Sequence, residues 1–267
     1  MSLALPRRRW HEMTAVDFRE GDTAEWIAVL PIAAIEQHGP HLPVYTDTCI
    51  AEGLIGRAIE LMPDDLPVSF LPLQPVGKSN EHISSPGTLT IGWETATRLW
   101  LEIGESVRRA GVRKLVIANS HGGNVALMDV VARELRVRHD MLVVLASWSR
   151  FGDPPGLFAP EEASYGIHGG DMETSVMLAL RPDLVRMDEA SDFRSTQTVY
   201  AEAFERLRVH GPVGFGWKAQ DLNPAGVVGN AAAATAEKGR AVIEHQAAAF
   251  VALCRDVHRF SLDLLWS

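Results

Sequence analysis

The first two thirds of the chain alternate short apolar runs with longer helical segments, and this alternation constrains the fold more than any other feature. Four runs have the length and composition of buried strands. They lie at residues 26–30, 68–73, 115–118 and 141–146. The segments between them carry apolar residues at helical spacing, at residues 48–62, 93–110 and 124–137. Because strands separated by such helices pair in parallel, we predict an α/β fold with three layers, α/β/α, and a mainly parallel central sheet.

The rest of the chain is less regular but shows no boundary between domains. The run at residues 141–146 is wholly aliphatic, which predicts a strand covered by helices on both faces. Residues 171–180 predict a short helix and residues 231–259 a long Ala-rich helix. Glycines and prolines within residues 187–230 predict long loops between these two helices. No repeat or low-complexity linker is present, so we predict one domain over residues 1–267.

Charge and cysteine content exclude several classes of protein. The formal net charge is −9, whereas a nucleic-acid surface needs a basic face, so we expect no nucleic-acid partner. No apolar stretch approaches the roughly 20 residues of a membrane span, so we expect no membrane partner. Cys49 and Cys254 are the two cysteines, which is too few for a disulfide framework and typical of a reducing compartment. We therefore expect a cytoplasmic protein.

Metal-binding side chains follow two of the predicted strands. Glu36 and His38 lie in the first segment, EQHGPH, which Asp47 follows, and His121 lies in the second segment, NSHGGN. The carboxyl ends of strands in an α/β chain are where a ligand or metal site is expected. Two carboxylates and two imidazoles supply the mixed oxygen and nitrogen ligands that divalent transition ions prefer. Asp47 is suited to bridge two ions, because a carboxylate has two oxygens.

Three further groups are candidates for the chemistry of this site. Gly122 and Gly123 allow a sharp turn with room for a substrate and with helix N–H groups behind it, although a plain tight turn is the alternative. In the string HGGDMETS, at residues 168–175, Glu173 could complete a binuclear site, although acids also cap helix starts. His168 could carry a proton to a leaving nitrogen.

The polar segment at residues 77–88 follows the second predicted strand and is punctuated by glycines. It could line a substrate pocket with Ser79, Glu81 and His82. A solvent-exposed loop explains the same composition equally well.

Taken together, these strings resemble the creatininase (creatinine amidohydrolase) family over about residues 26–244. The resemblance rests on EQHGPHLP at residues 36–43, TDT at 46–48, PGT at 86–88, NSHGGN at 119–124, ETS at 173–175 and GVVG at 226–229. It implies a three-layer α/β fold and hydrolysis of a C–N amide bond of a small molecule. It also implies two divalent metal ions per subunit, of Zn, Mn or Fe type, and a homo-oligomer, often a hexamer.

Residue by residue, the resemblance makes Glu36, His38, Asp47 and His121 metal ligands, with Asp47 bridging. His168 matches the position of the family's catalytic histidine. Creatininases proper also have a carboxylate two residues after His121, where this chain has Gly123. We therefore expect Glu173 to replace it as a ligand, which makes His168 and Glu173 the predicted catalytic residues.

A second departure concerns the substrate. The Trp-Asp pair associated with closing over creatinine is absent, and Ser164-Tyr165 stands near that place, so we expect Tyr165 to contact substrate together with Gly122 and Gly123. Both departures disfavour creatinine and favour the wider family. That family includes formamide hydrolases acting on pyrimidine intermediates and a peptidase that matures a peptide-derived redox cofactor.

Three hypotheses follow from the sequence. The leading one is a metal-dependent amidohydrolase in which a metal-activated water cleaves a cyclic amide or formamide of a small molecule. The second is a metallopeptidase of the same family that removes a short terminal peptide and has a wide, open pocket. The third is a non-catalytic α/β module that binds an anionic small molecule at Gly122 and Gly123.

Overall fold

The computed structural model describes residues 5–265 of the chain. Residues 1–4 and 266–267, the two ends of the predicted domain, lie outside the described residues. The strands are β1 (Ile27–Ile32), β2 (Val68–Phe70), β3 (Lys114–Asn119), β4 (Leu142–Ser147), β5 (Asp192–Phe193) and β6 (Gly229–Asn230). The helices are α1 (Ala15–Glu20), α2 (Thr46–Leu61), α3 (Trp93–Arg109), α4 (Val125–His139), α5 (Pro160–Tyr165), α6 (Asp171–Leu180), α7 (Gln197–Ala203), α8 (Ala219–Leu222) and α9 (Ala236–Arg259).

A central sheet of four parallel strands has the order β2-β1-β3-β4. β1 pairs with β3 along its whole length, from Ile27 opposite Lys114 to Ile32 opposite Asn119. Every residue of these two central strands is buried. Strands that are buried on both faces need apolar side chains throughout, which explains their continuous apolar runs.

Helices cover both faces of the sheet. Ile27 and Val29 of β1 lie in a core that also contains residues of α2, α6 and α9. Ala28 and Leu30 lie in a second core with residues of α3 and α4. Since successive strand residues point to opposite faces, one strand contributes to both cores. The predicted three-layer α/β/α fold with a parallel sheet is therefore confirmed.

One prediction about β4 was wrong. Its residues are mostly half-buried rather than covered on both faces, and Leu145 is 41% exposed. β4 is an edge strand, with β3 on one side and no further described strand on the other. An aliphatic run predicts a strand, but it carries no information about whether a neighbouring strand covers its outer side.

The last third has more regular structure than predicted. The helix expected at residues 171–180 is α6, but residues 187–230, predicted as long loops, contain α7, α8 and an antiparallel pair of short strands, β5 and β6. The long C-terminal helix begins at Ala236 instead of residue 231, because the Thr235 side chain accepts a hydrogen bond from the backbone N–H of Lys238 and caps it. Across residues 5–265, no helix has both the length and the apolar character needed to cross a bilayer.

Candidate metal centre

The loops that leave β1, β2 and β3 meet at one edge of the sheet, and a buried asparagine ties them together. The Asn124 side-chain amide donates to the carbonyl oxygen of Ala33, after β1, at 3.0 Å. Its oxygen accepts from the backbone N–H of Lys78, in the segment after β2, at 3.0 Å. Its amide also donates to Asn119 Oδ1, at the end of β3, at 3.1 Å. This residue, which the sequence argument gave no role, fixes the three loops that carry the site.

The four side chains predicted as metal ligands converge at this edge and are buried. His121 Nδ1 lies 3.2 Å from Glu36 Oε1 and 3.3 Å from Asp47 Oδ2. His38 Nε2 lies 3.5 Å from Asp47 Oδ1, the other oxygen of the same carboxylate. The turn that returns the chain from His38 towards Asp47 includes Gly39 at φ +71°, a conformation that glycine adopts without strain.

Glu173, from the first turn of α6, joins the cluster as predicted. Its Oε2 lies 3.6 Å from His38 Nε2 and accepts a hydrogen bond from the backbone N–H of Gly169 at 2.6 Å. Three sets of candidate ligand atoms result, each with all its atoms within 4.8 Å of one another. The sets are Glu36, Asp47 and His121; His38, Asp47 and Glu173; and Glu36, His38 and His168. Asp47 belongs to the first two, as a bridging ligand would.

The hydrogen bonding of these residues fits bound cations. Both carboxylate oxygens of Glu36, Asp47 Oδ2 and His38 Nε2 are buried and have no hydrogen-bond partner among the described residues. Burying acceptors without a donor is costly, so native proteins rarely leave them so. Divalent cations would satisfy all four atoms at once, and the mixed nitrogen and oxygen set suits zinc, manganese or iron.

The backbone hydrogen bonds of His38 and His121 each use one ring nitrogen and leave the other facing the carboxylates. His38 Nδ1 donates to the carbonyl oxygen of Glu36 at 3.0 Å, so Nε2 is the nitrogen that faces the cluster. His121 Nε2 donates to the carbonyl oxygen of Lys78 at 3.0 Å, so Nδ1 is the nitrogen that faces the cluster. Backbone carbonyls commonly orient metal-binding histidines in this way.

The cluster attracts positive charge. Burial lowers the pKa of His38, but the carboxylates of Asp47, Glu173 and Glu36 outweigh burial and raise it to about 10. Burial also opposes the charged form of His121, yet Glu36 and Asp47 raise its pKa well above the usual value. Burial raises the pKa of Glu173 to about 7 against the attraction of His38, and Asp47 and Glu36 add to the rise. Three carboxylates crowded in a buried place are the common cause.

His168 lies beside the cluster. Its Nε2 donates to the carbonyl oxygen of Gln37 at 2.8 Å, and its Nδ1 lies 3.6 Å from Glu36 Oε1. Burial, followed by the neighbouring His38 and His82, holds the pKa of His168 well below its usual value, so the ring is neutral. A neutral imidazole with a free nitrogen next to the ligands can accept a proton, although its catalytic role stays a prediction.

A cavity of about 900 Å³ opens in front of the cluster. Glu36, His121 and His168 line its floor, and four of the predicted substrate-binding residues line it too: Glu81, His82, Gly122 and Gly123. Sequence reasoning missed most of the outer wall, which includes Arg150, His210, Phe215, Trp217 and Lys218. No local pattern could have found these residues, because they come from distant loops that only the fold brings together.

Two predicted substrate contacts are not supported by the geometry. Ser79 is fully buried, and its hydroxyl lies 3.3 Å from His121 Nε2, so it supports a ligand instead of facing the cavity. Tyr165 lines a separate cavity of about 120 Å³. The chain turns directly after it, with the N–H of Ile167 bonded to the Tyr165 carbonyl at 2.9 Å. Ile167 and His168 therefore face the large cavity, and Tyr165 does not.

Similarity to known proteins agrees with this geometry. The sequence profile of creatininase, described as creatinine amidohydrolase, matches residues 11–254. The mycofactocin precursor peptide peptidase of Mycobacterium ulcerans (strain Agy99) is 34% identical over 230 residues, which cover 81% of this chain and 80% of that protein. The creatinine amidohydrolase of Pseudomonas putida is 33% identical over 181 residues, which cover 62% of this chain and 68% of that protein.

The fold is also similar to that of a solved protein. A structure of creatininase with Mn has a TM-score of 0.76 and 25% sequence identity, and the match covers 95% of this chain and 99% of that chain. The profile match spans nearly the whole described chain and contains all five residues of the two sets that share Asp47. The chain therefore belongs to the creatininase family of amidohydrolases.

Proposed function

We propose that this protein is a metal-dependent amidohydrolase that cleaves a C–N amide bond in a substrate as large as a short peptide. The observation that carries the proposal is the pair of ligand sets sharing Asp47, of which Glu36 and His121 line the floor of a cavity of about 900 Å³. Pockets of about 300–1,000 Å³ hold drug-sized ligands, so this cavity is at the upper end of that range. A small cyclic amide or a formamide would leave most of it empty.

Five residues would hold the cations. Glu36, Asp47 and His121 would bind one ion, and His38, Asp47 and Glu173 the other. Two divalent ions of Zn, Mn or Fe type would supply a Lewis acid for the amide carbonyl and lower the pKa of a water molecule. The backbone at Gly122 lines the cavity without a side chain and with open space beside it, so an amide can approach the cluster closely.

His168 would move the proton. Its Nε2 proton is held by the Gln37 carbonyl, so Nδ1 is the nitrogen that can act. Nδ1 would accept a proton from the attacking water and return it to the nitrogen that leaves. His168 Nδ1 lies 3.6 Å from Glu36 Oε1, so the carboxylate would stabilise a proton on Nδ1.

The relatives support two candidate substrate classes. The Mycobacterium ulcerans relative is a peptidase by name, which favours a peptide, in agreement with the size of the cavity. The Pseudomonas putida relative is a creatinine amidohydrolase by name, which keeps a small cyclic amide as the second candidate.

One assay distinguishes these candidates. Protein reconstituted with zinc or manganese would be incubated with short peptides, with creatinine and with formamides, before and after chelation. We expect release of a peptide fragment that chelation abolishes and added cation restores. Turnover of creatinine or formamides alone would select the second candidate. Undiminished hydrolysis by the chelated protein would refute metal dependence, and binding without any hydrolysis would favour a non-catalytic module.

We also propose that the chain forms a homo-oligomer. Apolar side chains are exposed along the edge strand and the helix before it, with Leu145 of β4 at 41% and Val130 and Val137 of α4 at 47% and 78% exposed. A second copy could cover such side chains. Light scattering coupled to size-exclusion chromatography would test this, and a monomer at micromolar concentration would contradict it.

A further inference from the structure

We infer that Gln37 is a positioning residue that fixes the proton positions of His82 and His168, so that one Glu36 oxygen faces an N–H group of His82 and a free ring nitrogen of His168. The inference deepens the proposed function and rests on it in one respect, namely that Glu36 binds a cation. The hydrogen bonds that Gln37 makes with His82 and His168 do not depend on that function.

The side-chain amide of Gln37 has one possible orientation. Its Oε1 accepts from the backbone N–H of Gly39 at 3.0 Å, and its Nε2 donates to the carbonyl oxygen of Gly226 at 2.6 Å. A flipped amide would place oxygen against oxygen and N–H against N–H. The side chain is 7% exposed, so water would not compensate for the lost hydrogen bonds.

This orientation determines the proton position of His82. Gln37 Nε2 is a donor, and it lies 2.8 Å from His82 Nδ1, so Nδ1 must be the acceptor. A neutral His82 therefore carries its proton on Nε2. That N–H lies 3.4 Å from Glu36 Oε1, while His82 itself is 3% exposed.

The backbone of Gln37 determines the proton position of His168. The Gln37 carbonyl oxygen lies 2.8 Å from His168 Nε2 and can only accept, so Nε2 carries the proton. Nδ1 is then free, and it lies 3.6 Å from the same Glu36 Oε1. One residue thus turns the Nε2–H of His82 and the free Nδ1 of His168 towards the same Glu36 oxygen, although neither forms a hydrogen bond with it.

The packing of the rings holds this arrangement in place. The His168 ring lies between those of His38 and His82, with ring centroids 4.1 Å and 4.4 Å away.

If His82 carried its proton on Nδ1 instead, its Nε2 lone pair would point at the Glu36 carboxylate. Glu36 is fully buried, so no solvent would relieve that repulsion, and the carboxylate would move away from the cation site.

The test uses Gln37→Glu, in which the side chain accepts where Gln37 donates. Histidine tautomers would be read from long-range ¹H–¹⁵N spectra of histidine-labelled protein, with and without zinc. In the parent protein we expect His82 and His168 to carry their protons on Nε2. In the variant we expect His82 to gain a proton on Nδ1. His168 should keep its proton on Nε2, because the Gln37 backbone carbonyl at 2.8 Å still accepts it and the side chain 3.4 Å away would become an acceptor too. Zinc affinity should fall about 10- to 100-fold, the usual effect of losing support behind a ligand.

A second pair of variants keeps the inference testable if Gln37→Glu folds poorly. His82→Gln retains an N–H near the position of Nε2, whereas His82→Phe retains only a ring, so zinc affinity should be higher in the former. A parent spectrum with the His82 proton on Nδ1, or equal zinc affinity in the two His82 variants, would overturn the inference. Failure to hydrolyse any amide, with the tautomers as expected, would overturn the proposed function and leave the structural inference intact.

Discussion

At the scale of single residues, the neighbouring glycines at the end of β3 lack side chains for different reasons. A Cβ on Gly123 would overlap Glu81 Oε1, His121 Nε2 and the Lys78 carbonyl oxygen. A Cβ on Gly122 would meet no atom within 4 Å. The space beside Gly123 is filled because Glu81 lies there, paired with Lys78 Nζ at 2.9 Å. This packing leaves no room for a carboxylate at position 123 in the present site.

These contacts predict a loss of zinc affinity in one alanine variant and no change in the other. Gly123→Ala should displace His121 and lower zinc affinity by about tenfold or more, because the ring loses the position set by the Lys78 carbonyl. Gly122→Ala should change stability by less than about 0.5 kcal/mol and leave zinc affinity unchanged. Competition with a zinc chelator measures both, and equal affinities in the two variants would contradict the packing argument.

Glu173 provides a second test at this scale. Glu173→Gln removes a charged ligand from one set and leaves Glu36, Asp47 and His121 intact, so bound metal should fall from two ions to about one per chain. Glu161→Gln, an exposed acid of α5, is the matched control and should retain both ions. Elemental analysis after gel filtration measures the ratio. Two ions retained by the Glu173 variant would mean that another residue completes the site.

At the scale of elements, the contact between α6 and α9 determines where Glu173 lies. A Cβ on Gly239 in the first turns of α9 would overlap the carbonyl oxygen of Ser175 in α6. Asp171, the first residue of α6, accepts from Lys238 Nζ at 2.5 Å and from Ser175 Oγ at 3.0 Å. Close approach and a partly buried ion pair together hold the helix whose first turn brings Glu173 to the cluster.

Pushing α6 and α9 apart should lower the free energy of unfolding. Gly239→Ala should destabilise the protein by about 1–3 kcal/mol, the usual effect of overpacking a tight contact. Gly56→Ala in the interior of α2, where an added Cβ meets no atom within 4 Å, should stabilise it by about 0.5–1 kcal/mol. Urea unfolding of cation-free protein measures both changes. A neutral Gly239 variant would show that the helices can shift without loss.

The elements also show what the sequence can predict. β1, β3 and α6 were predictable because the periodicity of burial is local, and Glu36 and His121 followed because they come after paired strands. The placement of Glu173 came from the family pattern, since an acid in the first turn of a helix is also an ordinary cap. The sequence could not show that Ser79 and Tyr165 lie away from the large cavity, because a polar loop does not reveal which way each side chain faces. The walls at Arg150 and Trp217 depend on loop packing, for which no sequence pattern exists.

At the scale of the whole molecule, stability should depend on cations and on pH together. In cation-free protein, the pKa of His38 is raised to about 10 from a value near 6.5 in the unfolded chain. Its contribution to stability is therefore complete below about pH 6.5 and is lost as the pH rises through about 10. The pKa of His121 is raised as well, so its contribution has the same sign. Cations bind the folded state and replace these protons, so they should remove the dependence.

Thermal melts test this expectation. The melting temperature of cation-free protein should fall between pH 7 and pH 10, whereas that of protein saturated with zinc or manganese should change less over the same range. The cations should also raise the melting temperature most at the higher pH. If the melting temperature changed equally with pH in the presence and absence of metal, the buried cluster would not bind cations.

The most direct measurement for the central claim is anomalous diffraction from crystals of the protein grown with manganese. The account predicts two anomalous peaks per chain on either side of Asp47, each about 2.0–2.2 Å from ligand atoms. One peak should contact Glu36 and His121, and the other His38 and Glu173. An absence of peaks at this position, or ions bound only elsewhere, would contradict the claim that these five residues form a binuclear metal centre.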